Sequence, residues 1–155
     1  TAAIASIISN LERHVPDARL DGILIESMID KAILELMVSL RRDPQFGLVL
    51  TLASGGVMTE LFKDASTVLV PADDIALREA LESLRIAPLF DGFRGAPAAS
   101  VTAVLDQIKH LVNLMKGAPD IIEIEINPML IGKDYACCAD ALISISNTEA
   151  LTAKT

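Results

Sequence analysis

Two residue types that carry much of protein chemistry are scarce in this chain: 155 residues include only two histidines and two cysteines. The cysteines, Cys137 and Cys138, are adjacent. Neighbouring side chains on a strand point to opposite faces, so these two are badly placed to pair with each other. A reducing, cytoplasmic compartment is the economical expectation. With no CxxC spacing, and only His14 and His110 to help, a structural zinc site is not expected. Basic residues are also in deficit: 13 Lys and Arg against 21 Asp and Glu leave a net charge of −8. That balance argues against nucleic acid or a membrane surface as partner. No apolar run reaches the roughly 20 residues that span a bilayer. The first residues lack the charged n-region and cleavage site of a secretory signal.

What is present is largely apolar. Hydrophobic residues make up 52% of the chain and charged residues 22%, enough for one packed domain of this length. No internal repeat or low-complexity segment occurs. The opening, Thr1 to Ile8, has no initiator Met and reads as a helix entered partway through a longer protein. Ile4, Ile7, Ile8 and Leu11 share a helical stripe, and Pro16 and Asp17 stop it.

Strands are expected over Gly22–Ile29, Ala32–Leu40, Gly47–Leu52, Val57–Phe62 and Ser66–Val70, with a hairpin loop at Arg41 to Gly47. Asp73 or Asp74 can cap a helix carrying Leu77, Ala80, Leu81 and Leu84. Ser100 can cap the next, whose stripe runs from Val101 through Val104, Leu105, Ile108, Leu111 and Val112 to Met115. Gly117 and Pro119 end it. A loop, Phe90 to Pro97, joins the two helices. Strands at Ile121–Ile126 and Tyr135–Ser146 close the chain. Hairpins and helices in blocks imply an α+β domain with a mainly antiparallel sheet.

The segment Ile121-Ile122-Glu123-Ile124-Glu125-Ile126-Asn127-Pro128 carries the most chemistry. On a strand, Glu123, Glu125 and Asn127 share one face. Alone, that pattern also describes a half-exposed strand with a solvated acidic face. The return strand adds Asp140, the one carboxylate in an otherwise apolar run from Tyr135 to Ile143, where it should find a cation or donors. A turn at Gly132-Lys133-Asp134 brings Asp140 near Glu125 to Asn127. Carboxylate and amide oxygens meeting in a cleft are hard ligands that suit Mg²⁺. Glu35 and Glu60 likewise interrupt apolar runs, each as ordinary strand polarity or as part of a polar cleft. Ser54-Gly55-Gly56 lets backbone approach an anion closely, but the lysine of a P-loop is absent. Arg41 and Arg42 could neutralise phosphates or simply face solvent. Arg94 reads as a structural ion pair or loop anchor, and both histidines as structural. The residues alone leave two readings open: a Mg-nucleotide or Mg-phosphate site on a sheet, or a non-catalytic interaction module.

These residues also carry a family likeness. The chain resembles the C-terminal part of the ATP-grasp domain of ADP-forming acyl-CoA synthetases of the acetate–CoA ligase type, relatives of the succinyl-CoA synthetase β subunit. Gly22 through Met28 is similar to that family's hinge strand. Glu35-Leu36-Met37-Val38 and Arg41-Arg42-Asp43-Pro44-Gln45-Phe46-Gly47 are similar to its strand-and-turn signature. Gly55 to Leu61 with Lys63-Asp64 resembles its Gly-Gly segment, and Ile86 to Gly92 with Arg94-Gly95-Ala96-Pro97 its glycine–arginine loop. Glu123 to Met129 and Asp140 to Ile143 resemble its closing signature.

The resemblance implies a single ATP-grasp C-terminal subdomain over residues 1–155, a fragment of a larger multidomain enzyme. It implies Mg²⁺ and ATP/ADP as cofactors, with Asn127 and Asp140 as metal ligands and Glu125 beside them. It implies nucleotide contacts at Glu26, Ser27, Met28 and Glu35 and at the Gly55-Gly56 loop. No catalytic residue is assigned in this chain. The implied parent reaction joins acid and CoA at the expense of ATP, giving ADP and phosphate, through an acyl phosphate and a phosphohistidine. The remaining ATP-grasp lobe and the CoA-binding domains are implied partners, and a homo-oligomer is possible through exposed apolar surface. The lid lobe, its phosphate-binding lysine and the phosphorylated histidine are missing here, so the chain alone is not expected to turn over. Glu125 stands where the family usually has Asp, Ala53-Ser54 stands where the family commonly has a further Gly ahead of the Gly-Gly pair, and Ser39 replaces another common Gly. A degenerate, non-catalytic ATP-grasp-like module is the alternative.

Overall fold

A computed structural model of the chain describes residues 2–29, 31–56 and 64–146. Helix α1 (Ala2–His14) opens the chain, followed by strands β1 (Leu34–Asp43), β2 (Gly47–Ser54) and β3 (Ala65–Val70). Helix α2 (Asp74–Glu82), a 3₁₀ turn at Ala87–Leu89 and helix α3 (Val101–Gly117) come next. Strands β4 (Ile121–Ile131), β5 (Ala136–Cys138) and β6 (Ala141–Ile145) complete it. Among the described residues six strands form one sheet in the order β3-β2-β1-β4-β5, with β6 also on β4, and each of their pairings is antiparallel. The α+β class expected from the sequence is the observed one.

Alternation on β1 sorts the two faces. Leu34, Leu36, Val38 and Leu40 are buried, and Leu50, Leu52, Ile124 and Ile126 join them from β2 and β4. Helices α2 and α3 supply the other half of this core through Leu77, Leu81, Leu105, Ile108 and Met115. Each such side chain contributes about 1.5–3 kcal/mol when buried. Of the two candidates for the first cap the structure uses Asp73, whose side chain accepts from the Ala76 amide at 2.8 Å; the second cap is Ser100 as expected, its hydroxyl oxygen accepting from the Ala103 amide at 3.2 Å.

Three expectations need correction. The Gly22–Ile29 segment is not a strand; it has no regular structure and lies exposed, with Leu24 and Met28 among the most exposed apolar residues. A strand exists only where a neighbour completes its ladder, and none of the described strands pairs with this segment. The Arg41–Gly47 loop shrinks to a turn, because β1 runs on to Asp43. There the Asp43 carboxylate accepts from the Gln45 and Phe46 amides. The Tyr135–Ser146 strand is split at Ala139-Asp140 into β5 and β6. The Val57–Phe62 strand and Glu60 lie outside the described residues.

Candidate functional site

The sheet face away from the helices carries polar groups among apolar ones. Met37, Ser39 and Arg41 on β1, Val49 and Thr51 on β2 and Glu123 and Glu125 on β4 line a shallow hollow of about 300 Å³. The Ser39 hydroxyl donates to Glu123 at 3.1 Å. Glu125 lies opposite Ser39 on one side and Leu142 on the other. Both glutamates are half-buried and share this face, as the alternation on β4 predicts.

One end of this face is built by a bulge. Val38 pairs with Ile126 and Leu36 with Met129, so two residues of β4, Asn127 and Pro128, stand against Met37 alone. The Asn127–Pro128 peptide is cis. A bulge re-aims side chains and is common next to functional sites. Here it turns Asn127 toward the loop after β2, and its Oδ1 accepts from the Gly56 amide at 3.2 Å. The neighbouring Gly55 amide donates to the Glu35 carbonyl at 2.9 Å. This approach needs glycine: a Cβ on Gly55 would lie 2.7 Å from the carbonyl carbon of Leu36. Gly56 has φ +64, and a Cβ there would sit 2.1 Å from a Glu35 carboxylate oxygen. Glu35, Gly55, Gly56 and Asn127 therefore converge on one corner.

Asp140 reaches the same corner from the break between β5 and β6. Its carbonyl accepts from the Asn127 amide at 3.2 Å, and the Ala139 amide donates to the Pro128 carbonyl at 3.1 Å. The carboxylate itself is exposed and accepts from the Ala141 amide at 2.8 Å. The expected burial in an apolar strand is thus replaced by a solvent-facing break, since β6 is exposed along most of its length. Among the described residues no group of three or more His, Cys, Asp or Glu could hold a metal. An amide oxygen on β4 and one carboxylate in the break between β5 and β6 nonetheless suit Mg²⁺. That ion keeps several waters and takes one or two carboxylates plus phosphate oxygens rather than a full protein cage. Glu26, Ser27 and Met28 are on the exposed segment before β1. Met28 sits beside Ile29, Lys31 and Tyr135 rather than at the corner.

Sequence reasoning missed two anchors. Arg42 is not a phosphate ligand in waiting. It follows Leu40 on the inward face of β1, and its guanidinium donates to the carbonyls of Ile121 (2.8 Å), Ala118 (3.2 Å) and Met115, closing the C-terminal end of α3. Its parity with Leu36, Val38 and Leu40 was the available signal. Asp64 is buried; its carboxylate accepts from the Arg85 amide at 2.8 Å and its carbonyl from the Ser54 amide at 3.2 Å. No pattern in the sequence marks that role. Arg94 makes no ion pair among the described residues; its guanidinium lies 5.2 Å from the centre of the Phe93 ring.

Comparison with known proteins agrees with this architecture. A profile of the ATP-grasp domain matches residues 1–145. The chain is 39% identical over 129 residues to a trans-feruloyl-CoA synthase of an unknown prokaryotic organism, covering 83% of this chain and 18% of that protein. It is 32% identical over 139 residues to the β subunit of acetate–CoA ligase (ADP-forming) I of Pyrococcus furiosus, covering 90% of this chain and 60% of that subunit. Among solved structures it is similar to dinucleotide-forming acetyl-coenzyme A synthetase 1 of Ca. Korarchaeum cryptofilum in complex with coenzyme A and Ca-AMPCP. That match has 30% identity and a TM-score of 0.78, over 93% of this chain and 62% of that one. A further structure of that enzyme, containing Mg-AMPPCP, matches with a TM-score of 0.68 and 28% identity, over 72% of this chain and 53% of that one. The chain thus spans less than two thirds of these relatives. It belongs to the ATP-grasp family, and within that family its relatives are ADP-forming acyl-CoA synthetases.

Proposed function

We propose that this chain is the nucleotide- and Mg²⁺-binding part of an ADP-forming acid–CoA ligase working in the cytoplasm. The observation that carries the reading is the corner where the Gly56 amide, the Asn127 amide oxygen and the Glu35 carboxylate meet beside Asp140. Asn127 and Asp140 would hold Mg²⁺, with Glu125 adding negative charge on the neighbouring face. Bound there, the ion would offset charge on the phosphates during phosphoryl transfer. The chain's own work is positional. The glycines let the loop after β2 close onto Glu35 and Asn127, and Asn127 is held by the Gly56 amide in the orientation that leaves one lone pair of Oδ1 for a ligand. Glu26, Ser27 and Met28 would meet the base once the remaining lobe of the parent closes on this sheet. Acyl and CoA chemistry belongs to other parts of that parent, through an acyl phosphate and a phosphohistidine, and the chain alone would not turn over.

The test is equilibrium binding of ADP to the chain with and without Mg²⁺. Affinity should rise with the metal, and Asn127→Ala should lower the Mg-dependent affinity at least tenfold with an unchanged melting temperature. Binding unaffected by that substitution, or no binding at all, would sink the reading. The exposed Asp140 carboxylate favours the second reading, a non-catalytic ATP-grasp-like module, and that reading expects the negative result.

A further inference from the structure

Helix α2 and the Phe90 to Pro97 loop take no part in the corner described above. Between the end of α2, the 3₁₀ turn and the start of α3 lies a cavity of about 660 Å³, a size typical of small-molecule sites. It shares no lining residue with the polar hollow on the opposite sheet face. Its floor is apolar, formed by Leu81, Leu84, Phe90 and Val101. Its rim carries two guanidiniums, Arg78 and Arg85, and two carboxylates, Glu82 and Asp91.

Arg78 and Glu82 have the i, i+4 spacing that ordinarily makes a helix ion pair. The ion pairs among the described residues, however, join Arg19 to Asp21, Arg41 to Asp43 and Lys109 to Asp74. Both rim guanidiniums stand apart from them in a chain with a net charge of −8. The Arg85 main chain is pinned, because its amide donates to the buried Asp64. The loop leaving the rim is also held in shape. Gly92 and Gly95 have φ of +88 and +86, Arg94 has φ +49, and the Ala99 amide closes the loop onto the Phe90 carbonyl at 3.1 Å.

We propose that this cavity is a second anion site, for a diphosphate ester carried on an apolar or aromatic body. Arg78 and Arg85 supply planar forks that match phosphate oxygens. The apolar floor covers the body, and Glu82 and Asp91 accept hydrogen bonds from its hydroxyl or amino groups. A nucleoside diphosphate and coenzyme A both present this chemistry. The site stands independently of the nucleotide corner, and the two can be tested in one experiment.

The ¹⁵N-labelled chain is titrated separately with ADP, coenzyme A and inorganic pyrophosphate while amide shifts are followed by NMR. The expected result is saturable shifts at Leu84, Arg85, Phe90 and Val101 with ADP or coenzyme A, whichever binds tighter naming the source. Pyrophosphate, which lacks the body, should bind at least tenfold more weakly. Arg78→Gln and Arg85→Gln, both exposed positions that leave the remaining spectrum unchanged, should together raise Kd at least tenfold. No shift at these amides, shifts that survive both substitutions, or pyrophosphate binding as well as the esters would overturn the proposal. Shifts at Gly55, Gly56 and Asn127 report the other corner, so either reading can fail without the other.

Discussion

At the scale of single residues, the two adjacent glycines of the β2 loop differ in kind. A methyl on Gly55 meets main-chain atoms of Glu35 and Leu36 at 2.7–2.9 Å, and the sheet has no cheap way to yield. A methyl on Gly56 meets the flexible end of the Glu35 side chain, which can swing away, leaving mainly the cost of a positive φ. Gly55→Ala should therefore cost about 3 kcal/mol and Gly56→Ala about 1 kcal/mol, an order that chemical denaturation of the two variants would check. Asp43 offers a pH test. Its carboxyl is held below the usual carboxylate range, first by the Gln45 and Phe46 amides and also by Arg41. A depressed folded value means that its contribution is present at neutral pH and lost as pH falls through that value. The stability difference between the native chain and Asp43→Ala should be widest near neutrality and shrink below about pH 4, as denaturation midpoints measured across that range would show.

At the scale of elements, the junction between α3 and β4 is tied to β1 by one side chain. Arg42 reaches from β1 to three carbonyls at that junction, satisfying helix-end groups that would otherwise go unpaired. Removing a charged donor from partly buried acceptors costs about 2 kcal/mol. Arg42→Ala should lose that much in urea denaturation, whereas Arg41→Ala, on the open face, should change stability by less than about 0.5 kcal/mol. Equal effects would mean that the guanidinium contacts carry little of the stability. Helices α2 and α3 were legible because their caps and stripes agree with each other. Ser100 caps as expected, Asp73 is one of the two candidates for the other cap, and Leu77, Leu81, Leu105 and Ile108 fill the core. The break at Ala139-Asp140 was not legible, because an apolar run of that length reads equally well as one continuous strand.

At the scale of the whole molecule, the core begins at β1. Helix α1 has no buried residue, and none of the described residues from 2 to 29 is buried. Leu24, Ile25 and Met28 are 81%, 75% and 83% exposed, a concentration of apolar surface that favours self-association. Removing residues 1–30 should shift the melting temperature by less than about 4 °C, the equivalent of under 1 kcal/mol in a domain of this size. It should also reduce any concentration-dependent oligomer seen by analytical ultracentrifugation. A large loss of stability would show that this segment packs on the sheet after all. No helix among the described residues is long and apolar enough to cross a membrane.

The sequence by itself determined the fold class, the Ser100 cap, the shared face of Glu123 and Glu125 on β4, and the family. Each of these is written in local periodicity or in a motif within one segment. Only the tertiary structure decided that Gly22 to Ile29 stays unpaired, because a strand is defined by neighbours that lie elsewhere in the chain. It also decided that Arg42 serves a helix end and Asp64 a buried anchor, since their partners are 73 to 79 and 21 residues away. The bulge that turns Asn127 toward Gly56 belongs to the same class. It comes from the mismatch between two registers of β1 on β4, which exists only once both strands are in place.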